Sequence, residues 1–366
     1  MILMNNFKAE PSELKEAMLK AVNRVLESGR YILGDEVLAF ERQWATSCGV
    51  PYGVGVGNGM DATEISLRAL NIGIGDEVIT TSMTAFATVL AIFRAGATTV
   101  LADIDSETAL LSIESAYRCI TSKTKALLLV HLYGQVRQMT AWTNFCNQHG
   151  IILLEDCAQA HLATLHGKVA GSFGEAGSYS FYPTKNLGTI GDGGMLVTNN
   201  YAIASKAEKL RNYGQSELYR HPELGMNSRL DEIHAAILIE RLKWLPKFIS
   251  RRRQIALAYK SGINNPLIKK LALPEEECSH VYHLYVVTCE QRELLQAYLK
   301  DKIQTLIHYP ICIHNQIPCI NIKRDPQGLS SSEKHAATCL SLPCNPQMSD
   351  ENIASVISYI NSFRGY

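Results

Sequence analysis

The chain has 366 residues, balances 35 Lys plus Arg against 35 Asp plus Glu, and is 46% hydrophobic, enough for one large domain, a smaller one and a substantial core. Zero formal charge offers no field to draw nucleic acid or an anionic membrane, and no apolar run approaches the length of a bilayer span. Ten cysteines without a CxxC pair read as thiols of a reducing compartment and not as zinc ligands, so a cytoplasmic protein without a metal centre is expected.

Leu14, Met18, Ala21, Val22 and Val25 recur at helical spacing between Pro11 and Gly29, which predicts an amphipathic helix. A second is predicted from Asp35 to Cys48, with Phe40 and Trp44 on one face. From Tyr52 onward short β runs alternate with helical ones. The predicted strands are 52–56, 77–81, 98–102, 126–130 and 151–154; the helices between them lie near 61–69, 87–95, 113–119 and 142–149. This alternation predicts a mostly parallel sheet with helices on its faces. Right-handed crossovers then put the strand ends and the loops after them on one edge, where ligands bind in such folds. Beyond Asn200 we expect helices at 202–211 and 230–244, joined by a polar loop from Asn212 to Asn227. Pro246 reads as a helix stop, and Arg251 to Arg253 as a solvated helix face. The last third changes character, with a strand at 283–288, a helix at 292–299, a Pro- and His-rich segment from Ile307 to His314 and a final helix at 350–363. The expected division is a large α/β domain over residues 1–249 and a smaller α+β domain over 250–366.

Chemistry concentrates between Glu155 and Asn200. Asp156 ends an apolar strand, and Lys185 sits among glycines and polar residues. A carboxylate for a ring nitrogen and an amine for an aldehyde are what pyridoxal 5'-phosphate needs. On that reading Lys185 holds the cofactor as an imine and moves protons between carbons, while Asp156 keeps the pyridine nitrogen protonated. Ser180 and the backbone of Gly59-Met60, a glycine turn leading into a helix, would take the phosphate. Gln159 would reach the ring hydroxyl if a helix starts after Asp156. Each feature alone has a plainer reading, as a strand-capping acid, a surface lysine or an ordinary strand-to-helix turn. The glycines from Gly188 to Gly194 lack the strand–turn–helix setting of a dinucleotide fingerprint, and no GxxxxGK[ST] loop is present. His308 and His314 have no carboxylate or cysteine at ligand spacing, so they read as substrate-pocket residues.

Taken in order, SGRYILGDEVLAFE, GIGDEVITTSMT, LVHLYGQ, LLEDCAQAH, FGEAGSYSFYPTKNLGTIGDGGMLVTNN, GMNSRLDEIHAA, IHYPICIHNQ and LSLP resemble the DegT/DnrJ/StrS family of sugar aminotransferases, nearly end to end. The resemblance implies an aspartate-aminotransferase-like fold of type I and pyridoxal phosphate, passing through pyridoxamine phosphate, as cofactor. It implies Lys185 as Schiff-base lysine, Asp156 and Gln159 as ring contacts, and Ser180 as phosphate ligand. Asn227 in GMNSRL would reach the phosphate of a neighbouring subunit, hence a homodimer with shared sites. His308, Tyr309 and His314 would belong to a segment closing over the sugar. Three departures stand out: Met60 follows Gly59 where threonine is usual, Ala85 replaces the ring-stacking aromatic so that either Phe86 or another group would have to cover the ring, and Leu162 replaces a glycine.

The resulting expectation is transfer of an amino group, from glutamate, to a nucleotide-linked keto sugar. A 3-keto-6-deoxyhexose linked to dTDP or another nucleotide is the expected acceptor, in amino-sugar synthesis for lipopolysaccharide or another polysaccharide. Amination at C4, amination of a cyclitol, and a catalytically silent regulatory relative are the alternatives.

Overall fold

The structure, a computed structural model, describes residues 1–366. Helices α1 (Ser12–Ser28) and α2 (Asp35–Ser47) come first. Then follow β1 (Tyr52–Val56), α3 (Gly59–Ala69), β2 (Glu77–Thr81), α4 (Phe86–Arg94), β3 (Thr98–Ala102), α5 (Ile113–Arg118), β4 (Thr124–Val130), α6 (Met139–His149) and β5 (Ile152–Asp156). A small hairpin of β6 (Thr164–Leu165) and β7 (Lys168–Val169) leads to β8 (Ala176–Ser180), β9 (Gly194–Thr198), α7 (Tyr201–Leu210), α8 (Glu232–Leu242) and α9 (Leu245–Gly262). The remainder is β10 (Lys269–Lys270), β11 (Tyr285–Thr288), α10 (Arg292–Leu299), β12 (Lys323–Arg324), α11 (Ser330–Thr338), β13 (Cys339–Leu342) and α12 (Asp350–Ser362).

Eight strands form one sheet in the order β1-β9-β8-β5-β4-β2-β3-β12. Every pair from β8 to β12 is parallel, while β9 runs antiparallel to both β8 and β1. The sheet is therefore mostly parallel, as the alternating pattern predicts. Its strands alternate between two cores because successive side chains point to opposite faces. Leu127, Leu129, Leu153, Met195 and Val197 pack with α2, α6 and α8 on one face. Ala126, Leu128, Leu154 and Leu196 pack with α3 and α7 on the other. Sequence reading misses β8 and β9. Two glycines and two serines among the ten residues of these strands dilute their β pattern.

A second, three-stranded sheet, β10-β11-β13, has its own core with α9, α10 and α12. The two parts interlock. Residue 250, where the smaller domain is expected to begin, lies inside α9; β12 pairs with β3 of the large sheet; and Ile2 bridges to Ile303. Pro246 is no stop but stands in the first turn of α9, where its missing N–H costs nothing and its fixed φ suits a helix start. Nor is the arginine run a solvated face. Arg252 is buried and donates to the carbonyls of Tyr282 (3.1 Å), His283 (3.2 Å) and Cys344 (2.6 Å). These bonds compensate an otherwise expensive buried charge, and they fasten α9 to the second sheet.

Candidate active site

The carboxyl ends of β2, β4, β5 and β8 meet at one edge, and the two acids closing β5 point to opposite sides of it. Glu155 is fully buried and accepts from the N–H groups of Gly171, Phe173 and Gly174, each at 2.8 Å, and lies 2.9 Å from the His131 ring. That carboxylate is committed to holding the loop after β7. Asp156 accepts only two bonds, from the Thr88 hydroxyl (2.8 Å) and the Ala158 N–H (3.1 Å), and so keeps acceptor capacity toward the edge. Thr88 was not found from sequence. Its hydroxyl lies 2.9 Å from that of Thr84, which precedes α4, and two threonines four residues apart are the signal that the sequence offers.

Phe86 corrects an expectation. It opens α4 and packs against the cluster of Val89, Leu101, Ile313, Cys319 and Leu329. Residues two apart on a helix face different directions. With Thr88 turned to Asp156, Phe86 is turned away from it and does not take over the stacking role that Ala85 leaves open.

Gly59 opens α3, and the Asn58 side chain caps it by accepting from the Asp61 N–H at 2.9 Å. A Cβ on Gly59 would fall 2.7 Å from the Ser180 Cβ, and one on Gly194 would fall 2.3 Å from the Asn58 carbonyl. Glycine at both positions is what lets β8, β9 and the start of α3 converge. The N–H groups of Gly59 and Met60 have no intrahelical acceptor. They stand beside the Ser180 hydroxyl at the positive end of the helix, a setting suited to a phosphate.

Lys185 lies on the turn after β8, its N–H donating to the Tyr182 carbonyl at 2.9 Å. Its side chain makes no hydrogen bond or ion pair. Although it is not sealed from solvent, the protein mass around the amine lowers its pKa to about 8, with Asp156 pulling the other way. Burial, helped by the Lys185 charge, also holds three imidazoles neutral: His161 falls to about 3, His308 to about 4 and His283 well below its usual range. His283 escaped sequence reading. Its Nδ1 lies 3.3 Å from Asn186 Oδ1, and Asn186, the next residue after Lys185, donates to the Val281 carbonyl at 3.0 Å.

Gln159 sits in a turn, not at a helix start, yet its amide is fixed. It accepts from the Tyr133 N–H at 2.6 Å and donates to the Tyr309 hydroxyl at 3.2 Å. His308 meets Ser341 at 2.8 Å, and its carbonyl accepts from the Tyr133 hydroxyl at 2.5 Å. The structure thus brings Asp156, Gln159, Lys185, Ser180, Gly59, Met60, His308 and Tyr309 around one edge. His314 is different: it is buried, with one ring nitrogen 2.7 Å from Ser82 and the other 3.0 Å from Glu333. No nitrogen remains free for a substrate. Asn227 is exposed, next to Ser228, which accepts from the Gly57 N–H and donates to Asp61. Leu162 takes a φ of 61°, a conformation natural to the glycine it replaces.

This donor set fits pyridoxal 5'-phosphate: an acceptor with spare capacity, an amine of lowered pKa without a partner, and an anion cradle at a helix start. A family model described as the DegT/DnrJ/EryC1/StrS aminotransferase family matches residues 12–361. The chain belongs to that family. Its cofactor is accordingly pyridoxal phosphate. Among its relatives, the dTDP-3-amino-3,6-dideoxy-alpha-D-galactopyranose transaminase of Aneurinibacillus thermoaerophilus is 44% identical over 348 residues, 95% of each chain. A "pleiotropic regulatory protein" of Geobacillus stearothermophilus is 39% identical over 98% of each. DesV of S. venezuelae, solved in complex with a ketimine intermediate, superposes with a TM-score of 0.94 at 38% identity, covering 99% of this chain and 97% of that one.

The lowered Lys185 pKa has a measurable consequence for this aminotransferase. Only the neutral amine attacks an aldehyde. Capture of added pyridoxal phosphate by apoenzyme, followed by absorbance, should therefore quicken about tenfold per pH unit below pH 8 and level off above it. A midpoint above pH 10 would show an unshifted lysine.

Proposed function

We propose that this aminotransferase moves the amino group of glutamate to the 3-keto position of a dTDP-linked 6-deoxyhexose. The near end-to-end likeness to the Aneurinibacillus enzyme, whose name puts the new amine at C3, carries the choice of sugar and carbon. When bound, the cofactor supplies an electron sink next to the carbon that loses or gains a proton. This chain's residues do the rest. Lys185 Nζ would hold the cofactor and would accept and return that proton. Asp156 would hold the pyridine nitrogen, Gln159 the ring hydroxyl, and Ser180 with the Gly59 and Met60 N–H groups the phosphate. His308 and Tyr309, fixed by Ser341 and Gln159, would line the sugar's place. The pathway is amino-sugar synthesis for a surface polysaccharide. Ten unpaired cysteines support a cytoplasmic setting, and no helix is long and apolar enough to cross a membrane.

Purified enzyme with glutamate and separate dTDP-linked 3-keto and 4-keto sugars tests the assignment, the product amine being located by NMR. Amine at C3 alone is expected. Transfer only to the 4-keto sugar would replace this reading with C4 amination.

The active unit in this proposal is a homodimer. Asn227 is exposed and its side chain makes no hydrogen bond within its own chain, as a group serving a second chain requires. Asn227→Ala should loosen cofactor retention about tenfold, the worth of one hydrogen bond to a charged group. Mixing Asn227→Ala with Lys185→Ala subunits should restore about a quarter of parental activity if the groups act across subunits. Mixtures no more active than the separate variants would place both groups in one chain's site.

A further inference from the structure

We propose that the chain carries a second ligand site, for an aromatic ring bearing an anionic group, in the cavity between α9 and the segment Lys270–Val286. The cavity encloses about 350 Å³, within the range that holds a small molecule. Ala256, Leu271, Leu273 and Leu284 give it apolar walls. One side is a row of rings: His280 and Tyr282 stack with centroids 3.8 Å apart and planes 12° from parallel, and Tyr285 continues the row at 6.2 Å and 27°. Burial lowers the His280 pKa to about 3, so that ring is a neutral aromatic at physiological pH.

The backbone departs from its preferred conformations to build this row. Tyr282 has a φ of 44°, which a bulky residue adopts only where its surroundings compel it. Here the compulsion is visible. Val281 donates to the Gly134 carbonyl at 2.9 Å, Tyr282 N–H donates to His280 Nδ1 at 3.0 Å, and Arg252 holds the Tyr282 carbonyl at 3.1 Å.

The mouth carries a net positive charge. Lys260 is exposed and forms no ion pair. Lys270 Nζ donates only to the carbonyls of Lys260 (2.8 Å) and Ile263 (2.9 Å). Arg253, in the adjoining part of the groove, donates only to the carbonyls of His280 (3.1 Å) and Cys278 (3.0 Å). Glu277 is the one carboxylate lining either part, while nearby Glu107 and Glu275 are paired with Lys269 and Arg137. Three cations against one acid call for an anion, and the ring row calls for a flat partner. A single ligand with both features satisfies the site. Tyr282 immediately precedes His283, so the occupant would sit on the back of the segment that packs against Asn186 and Lys185.

The site does not depend on the choice of sugar or carbon, and its test is separate. The cofactor-loaded enzyme is titrated with 1-naphthyl phosphate, followed by the probe's own fluorescence, with 1-naphthol and inorganic phosphate as competitors. Saturable binding of one probe per chain is expected, weakened at least tenfold by Lys260→Glu and by Tyr282→Gly. The glycine removes the ring and relieves the φ strain together, and Lys260 is a surface residue, so both variants should fold. Lys260→Glu should leave transaminase turnover unchanged. The proposal is overturned if both variants bind as the parent does. Naphthol binding as tightly as its phosphate would leave an apolar cavity only, and competition by inorganic phosphate at equal strength an anion site only; either result also overturns it.

Discussion

Lys185→Ala should remain folded and lose turnover by about 10⁴-fold, the upper end of what a positioned proton-transfer group contributes, with loss of the covalent tether besides. Both halves follow from its surroundings. The side chain makes no hydrogen bond or ion pair, so removing it breaks nothing in the native state. Burial already disfavours its charged form, and the melting temperature of the cofactor-free protein should stay level or rise slightly. The function lost is the amine itself. No neighbour substitutes, because burial leaves His161, His283 and His308 too weakly basic to take the proton and none can tether the cofactor to the chain. Borohydride should fix cofactor to the parent at Lys185 and fix none to the variant, as mass spectrometry of the peptide would show. A variant turning over within tenfold of the parent would remove Lys185 from the mechanism.

That residue was legible because its chemistry is written locally. The acid ending β5 and the lysine after β8 both fall in one short stretch, and the parallel sheet folds their strand ends onto a single edge. Ser180 and Gly59 were legible for the same reason, each standing at the junction of a regular element and a turn. What escaped has a common physical cause: it depends on which way a side chain faces across elements distant in sequence. Phe86 and Thr88 differ only in helical phase, and nothing in the sequence says which one α4 turns toward Asp156. His283 lies in the bend that leads into β11, and its neighbour across the interface, Asn186, is 97 residues away. The arginine run read as solvated because composition cannot show that Arg252 finds three carbonyls at the place where α9 crosses the smaller sheet. His314 read as a substrate residue because a Pro- and His-rich segment looks like a pocket, yet Ser82 and Glu333 occupy both its nitrogens.

Asp156→Asn isolates the charge of the second essential group from its shape. The amide oxygen can accept from the Ala158 N–H as the carboxylate does. Its NH₂ then faces Thr88, whose hydroxyl can rotate to accept while still meeting Thr84. The fold and the cofactor's attachment to Lys185 should therefore survive. What disappears is the anion that the proposed mechanism sets against the pyridine nitrogen, and turnover should fall about 10²–10³-fold, the usual cost of removing one electrostatic stabiliser from an active site. A second readout follows in sign from the electrostatics. Asp156 raises the Lys185 pKa against the lowering by burial, so its neutralisation should move the amine below about 8. The pH midpoint for cofactor capture should then shift downward, with capture faster than in the parent at pH 7. Turnover within threefold of the parent would show that this carboxylate does not serve the ring. A midpoint that moved upward, or stayed fixed while turnover fell, would mean that Asp156 and Lys185 do not share the field that joins them in one site.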